Sequence, residues 1–157
     1  NALLAIDIIK QNFADFDLNK TEITDLKKYC NYLPDRLIPF FEGAIKNHHY
    51  TKLALKEFQK PTLDLKKIGE LMNAHHAVLR DLLKITVPRI DAMINAALKA
   101  GAYGAKIVGS GGGGSIVVLA EPGNEAPIVD AILAAGAIQA YTVTVDPGVR
   151  TIANSKI

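Results

Sequence analysis

Leu3, Leu4, Ile8 and Ile9 form an apolar stripe at helical spacing in a stretch free of glycine and proline, which predicts a helix over residues 1–12. A polar turn follows at residues 15–20, and a second short helix is expected over residues 21–29, with Asn19 and Glu22 resembling a capping box and Pro34 stopping the chain beyond it. Pro39 suits a first helical turn, and Phe41, Ala44, Ile45, His48, Leu55 and Phe58 then recur at i, i+3, i+4 spacing, so a longer helix should run to Gln59. Past Pro61 and Thr62, Leu65, Ile68, Met72, His75 or His76, Leu79 and Leu82 mark one face of a further helix, with Lys67, Glu70 and Asp81 opposite. Thr86 or Val87 is placed to cap a helix that has Pro88 in its first turn, shows Ile90, Met93, Ile94, Ala97 and Leu98 on one face, and ends at Gly101.

Beyond Gly101 the period changes. Residues 105–108 and 116–120 are short and apolar, and residues 139–145 are rich in Val, Thr and Tyr, which makes three expected strands. Between the second and third, residues 127–135 with Gly136 behind them predict a compact Ala-rich helix. The order is N-terminal helices, then helix, strand, loop, strand, helix, strand: an α+β sandwich with a small sheet.

Composition sharpens this picture at a few points. The 157 residues are 49% hydrophobic and 22% charged, enough apolar surface to offset the entropy of ordering in one compact domain. Of the 34 charged residues 24 precede Ile85, whereas 10 of the 12 glycines follow Ala100. A net charge of +2, from 13 basic and 11 acidic residues up to Lys84 and 5 of each beyond it, does not point to nucleic acid. No apolar run approaches the ~20 residues of a bilayer-spanning helix, so no membrane role is expected. The single Cys30 cannot form an internal disulfide or complete a thiolate metal clip, which fits a structural role in a cytoplasmic protein.

The one low-complexity segment is Gly109-Ser110-Gly111-Gly112-Gly113-Gly114-Ser115. It formally satisfies G-x-G-x-x-G, yet a dinucleotide site needs a helix directly after it, and Ile116, Val117, Val118 and Leu119 read as strand. It also begins a Walker pattern, but Ser115 stands where the phosphate-reaching lysine belongs. Two readings stay open: an anion nest in which backbone N–H groups turn inward to meet phosphate, or a hairpin connection with no ligand.

A larger pattern surrounds this run. Gly69-Glu70-Leu71-Met72-Asn73-Ala74-His75-His76, the Pro88-started helix with Asp91, then Ala100-Gly101-Ala102-Tyr103-Gly104-Ala105-Lys106 and the glycine run resemble, in that order, the C-terminal domain of the GHMP kinase superfamily, with galactokinase-like sugar kinases most similar. The family's third motif is Thr-Gly-Ala-Gly-Gly-Gly-Gly-Cys or a relative; Ser110 replaces its Ala and Ser115 its Cys. The resemblance implies a two-layer lobe with a small, mainly antiparallel sheet. It also implies that Gly109, Ser110, Gly111, Gly112, Gly113, Gly114 and Ser115 form a phosphate or sugar loop, with Lys106 and Asn73 as auxiliary candidates. The ATP segment Pro-x-x-x-Gly-Leu-Ser-Ser-Ser and the catalytic aspartate do not occur in these residues. The expectation is therefore a single C-terminal lobe, residues 1–157, of a two-lobe kinase whose N-terminal lobe is its partner and whose ATP and Mg2+ are bound elsewhere. The start at Asn1 agrees with a fragment, expected to be inactive alone and to contain no catalytic residue.

Other residues carry weaker expectations. His75 and His76 are neighbours and so point about 100° apart on a helix, unlike the i, i+4 pair of a zinc site, and His48 and His49 repeat that geometry; no metal site is expected. Lys106 either lends positive charge near phosphate or is a solvated strand lysine, and Arg80 either faces the other lobe or pairs with a nearby acid such as Asp81. Met72 and Met93 read as packing residues. Within the kinase reading the acceptor is a sugar, with galactose leading and a mevalonate-type kinase as the neighbouring possibility. Outside it stand a non-catalytic ligand-binding module and a dimerisation module.

Overall fold

The computed structural model describes residues 1–109, 111–145 and 148. Helices α1 (Ala2–Asn12), α2 (Leu26–Cys30), α3 (Ile38–Phe58), α4 (Leu65–Ala77) and α5 (Pro88–Lys99) precede strands β1 (Gly104–Val108) and β2 (Ser115–Leu119), and α6 (Glu125–Ala134) follows them. The strands form an antiparallel pair with Gly104 opposite Leu119 and Val108 opposite Ser115, so the hairpin between them is the glycine run. This is the expected helix-rich α+β fold with a small antiparallel sheet. Among the described residues no helix is long and apolar enough to cross a membrane.

Two apolar clusters follow from the helical stripes. Ala5, Ile9, Phe16, Leu26, Tyr29, Leu33, Leu37, Phe41 and Ile45 join α1, α2 and α3, and Tyr29 meets Phe13 and Phe16 edge to face at 5.1 and 5.2 Å. Ile90, Met93, Ile94 and Ala97 of α5 pack with Ala105 and Ile107 of β1 and with Ile128 and Ile132 of α6. Helix α4 touches both α3 and β1.

The contact of α4 with β1 is made backbone to backbone. A Cβ on Gly69 would overlap the Tyr103 carbonyl, and a Cβ on Gly104 would overlap the Gly69 backbone. With the helix this close, the Asn73 amide bonds the outer edge of β1 at two points, donating to Tyr103 O (3.2 Å) and accepting from Ala105 N (2.9 Å). Three residues on, His76 Nδ1 accepts from Ile107 N at 3.4 Å. Residues three apart share a helix face, so one side of α4 does for β1 what a neighbouring strand would do.

Several boundaries differ from expectation for physical reasons. The capping box is Glu22 with Asp25, where Asp25 Oδ2 accepts from Glu22 N at 2.9 Å; Asn19 instead donates its backbone N–H to Asp17 Oδ1 in a local turn. The helix expected over residues 21–29 consequently starts as a 3₁₀ turn, Ile23–Asp25, before α2. The expected third strand at residues 139–145 does not form: Tyr141, Val143 and Val145 are 75%, 70% and 97% exposed. Strand propensity reflects fit to a half-buried pleated surface, and this alternation has no face to bury.

Replacing Gly104 by Ala is expected to cost about 3 kcal/mol or more, because the intruding Cβ meets rigid backbone. Gly43→Ala faces only the flexible end of Leu83 and also gains helix propensity, so its cost should stay within about 1 kcal/mol. Urea denaturation of both variants checks the contrast.

Candidate functional site

The glycine loop is shaped by a segment far from it in sequence. Helix α4 does not end cleanly; its last turn widens into a π-helical turn, Val78–Leu82, in which Leu83 N donates to Val78 O. Lys84 then adopts a left-handed φ of +53°, a conformation rare outside glycine, and the chain reverses so that Ile85 N donates to Leu79 O. The reversal presents the Ile85 carbonyl to the loop, where Gly112 N donates to it at 2.7 Å.

Gly109, Gly111, Gly112, Gly113 and Gly114 all have positive φ, from +76° to +134°. Only glycine takes such a succession without strain, which accounts for the run. The positions nevertheless differ. A Cβ at Gly111 would overlap the Ile85 carbonyl, whereas one at Gly109, Gly112, Gly113 or Gly114 would meet nothing within 4 Å. The hairpin is thus seated on Ile85 at Gly111 and Gly112, and its remaining glycines stand in open space beside an apolar groove of about 980 Å³ that Gly113, Gly114 and Ser115 help to line. Ser115 opens β2, opposite Val108; Ser110 lies outside the described residues.

Behind the loop lies a polar network that sequence reasoning passed over. His76 is 3% exposed. Its Nδ1 faces the Ile107 N–H, which can only donate, so the proton sits on Nε2 and is shared with Asp91 Oδ1 at 3.3 Å. The other Asp91 oxygen accepts from the Thr86 hydroxyl at 3.2 Å. Desolvation pushes the His76 pKa below its ordinary value despite the neighbouring Asp91, and the charges of Arg80 and Lys106 act in the same direction as burial. Adjacent His75 is likewise lowered, first by burial and then by Lys106 and His76. The available signal was the Asn-x-x-His spacing, which puts Asn73 and His76 on one face of α4 together.

The remaining candidates fall apart from this cluster. Lys106 lies three residues before the loop, but its Nζ donates to the carbonyl of Ile107 at 2.9 Å, beside a second apolar groove formed by Tyr50, Phe58, Met72, His75 and Val117. Burial there holds its pKa below the usual lysine value. Asn73 is occupied by the β1 edge, and Arg80 is engaged by Asp81 in a two-point surface pair at 2.8 and 2.9 Å. Among the described residues no group of three or more His, Cys, Asp or Glu side chains is arranged to hold a metal ion.

Comparison with known proteins matches this arrangement to one family. The model for the GHMP kinases C terminal domain fits residues 54–139, from the end of α3 to beyond α6. The mevalonate kinase of Pyrococcus horikoshii is 33% identical over 83% of this chain and 38% of that protein. The galactokinase of Chloroflexus aggregans is 32% identical over 78% of this chain and 31% of that protein. Among solved structures, Lactococcus lactis galactokinase complexed with galactose superposes with a TM-score of 0.72 at 27% identity, over 83% of this chain and 34% of that one. The chain spans about a third of the length of these relatives.

Two outcomes are expected. Gly111→Ala should cost about 3 kcal/mol, combining left-handed strain with overlap on Ile85, while Gly112→Ala should cost about 1 kcal/mol from strain alone; denaturant midpoints separate them. Because the His75 and His76 pKa values in the folded state lie below the ordinary 6.5, the unfolded chain binds more protons at these two sites as pH falls past that value. Stability should therefore be full above about pH 7 and decline as the pH falls below about 6.5, and His76→Asn should flatten that decline.

Proposed function

Since the chain belongs to the GHMP kinase family, as its C-terminal domain, we propose that it is the C-terminal lobe of an ATP-dependent kinase that phosphorylates a small-molecule alcohol. The observation that carries the reading is the glycine loop, whose described residues Gly109, Gly111, Gly112, Gly113, Gly114 and Ser115 rest on Ile85 at Gly111 and Gly112 and border a groove at Gly113, Gly114 and Ser115; Ser110 belongs to the same run in the sequence. Residues 1–157 then act as one lobe, and the cytoplasm is the expected setting for a metabolic kinase of this type.

In the transfer, the acceptor hydroxyl oxygen forms a bond to the γ-phosphorus as the bond from that phosphorus to the bridging β–γ oxygen breaks. ADP departs with the electron pair, and the hydroxyl proton passes to a base. Such a reaction depends on in-line placement and on donors aimed at developing negative charge. Loop amides not committed to Ile85 suit that task, and the lack of Cβ atoms lets a phosphate or sugar approach the backbone. Lys106 and Asn73 support β1, the strand that enters the loop. The base, the ATP segment and the Mg2+ ligands belong to an N-terminal lobe, since no group of three or more His, Cys, Asp or Glu among this chain's described residues is arranged to hold a metal ion.

For the acceptor, galactose is the first choice, on the galactokinase superposition. Mevalonate is the second, on the strength of the archaeal mevalonate kinases, such as the 40% identical Pyrococcus abyssi protein over 54% of this chain.

Assay of the complete polypeptide with MgATP against galactose, related sugars and mevalonate should show phosphorylation of one of them, with none for residues 1–157 alone. Gly112→Leu in the complete polypeptide should lower turnover at least about tenfold while costing only the ~1 to 2 kcal/mol of a left-handed side chain. Unchanged turnover removes the loop from the mechanism.

A further inference from the structure

A buried histidine is a costly way to fill space, since its ring nitrogens need partners that an aliphatic side chain would not. The partners of His76 have something in common: all of them lead to the glycine loop. Ile107 precedes the loop by two residues on β1. Asp91 is bonded to Thr86, and Thr86 follows Ile85, whose carbonyl holds Gly112. From the imidazole, one route therefore runs along β1 into the start of the loop and another through Asp91 and Thr86 to its middle.

We propose that His76 and Asp91 are positioning residues that fix the glycine loop, His76 through the β1 backbone and Asp91 through Thr86 and the Ile85 carbonyl. The proposal deepens the reading above and rests on it for its effect on turnover, but not for its effect on the loop. Each atom in the circuit is used once in the role its chemistry allows: Nδ1 accepts, Nε2–H donates, one carboxylate oxygen takes the imidazole and the other the hydroxyl. The geometry has a direction as well. A proton arriving on Nδ1 would face the Ile107 N–H and break the β1 route, while leaving the Asp91 contact in place. Among the described residues the charged or titratable groups around the ring are Asp91 from α5, Lys106 from β1, and His75, Arg80 and Asp81 from its own helical segment.

The test uses the complete kinase polypeptide and three substitutions. Thr86→Val removes only the hydroxyl, Asp91→Asn weakens both of its contacts, and His76→Asn keeps an acceptor near Ile107 while losing reach to Asp91. Hydrogen exchange at the Gly112 amide reads the loop, amides of α1 and α3 report the intact fold, and steady-state kinetics read the consequence. Expected are Gly112 exchange at least about tenfold faster in Thr86→Val and Asp91→Asn, unchanged protection in α1 and α3, and a fall in kcat exceeding any rise in KM. The pH profile of kcat should also lose part of its acid limb in His76→Asn. Unchanged Gly112 exchange in folded Thr86→Val and Asp91→Asn proteins overturns the proposal. Faster exchange with unaltered turnover upholds the positioning role and instead defeats the loop's part in phosphoryl transfer.

Discussion

The outer edge of β1 is the constraint around which the second half of the molecule is arranged. A strand edge in the interior leaves N–H and C=O groups that cost about 1 to 3 kcal/mol each when unpaired. Here the neighbour is a helix, whose own backbone is already consumed by its internal bonds. Side chains must therefore supply the pairing, and only short polar ones reach from a helix that lies almost in contact. Gly69 and Gly104 bring the two backbones together, and Asn73 and His76 complete the ladder. The glycines would be pointless without the polar pair, and the polar pair could not reach without the glycines.

Once β1 is held in this way, the loop after it inherits its placement. Ala105 and Ile107 turn inward onto α5 and α6, which sets the pleat, and the hairpin leaves the sheet beside the reversal at Lys84 and Ile85. The loop is thus positioned by sequence-distant segments, and its own residues contribute permissiveness more than structure. Family membership fits that division of labour, since the matched region runs across α4, the reversal, α5 and both strands as a single unit.

Much of this was legible from periodicity, because long amphipathic helices bury one face whatever their context. The stripes of α3, α4 and α5, with Pro39 and Pro88 in first turns and Gly101 at a helix end, announced their elements. Residues 139–145 carry an equally clear strand signal, yet strand formation needs a ladder neighbour, and pattern alone does not provide one. The site was half legible. A glycine run is conspicuous, but what it rests on is not: Ile85 looks like any apolar residue, and its contribution is a carbonyl, which every residue has. His76 draws attention in the sequence only as a metal-ligand candidate, while its spacing from Asn73 carries a different reading, the pairing of the β1 edge.

The widened turn at Val78–Leu82 has a consequence for how this region tolerates change in chain length. A surface segment between two helices is ordinarily where residues are gained or lost at little cost. Here the count from Asn73 to Ile85 is fixed at both ends, by the β1 edge and by the loop amide, and the surplus has already been absorbed as one wide turn. A residue added to that already widened turn, or removed from the tight reversal at Lys84 that follows it, would carry the Ile85 carbonyl away from Gly112. The stretch therefore accepts exchanges of side-chain chemistry far more readily than insertions or deletions, and related chains should vary there in spelling but not in length.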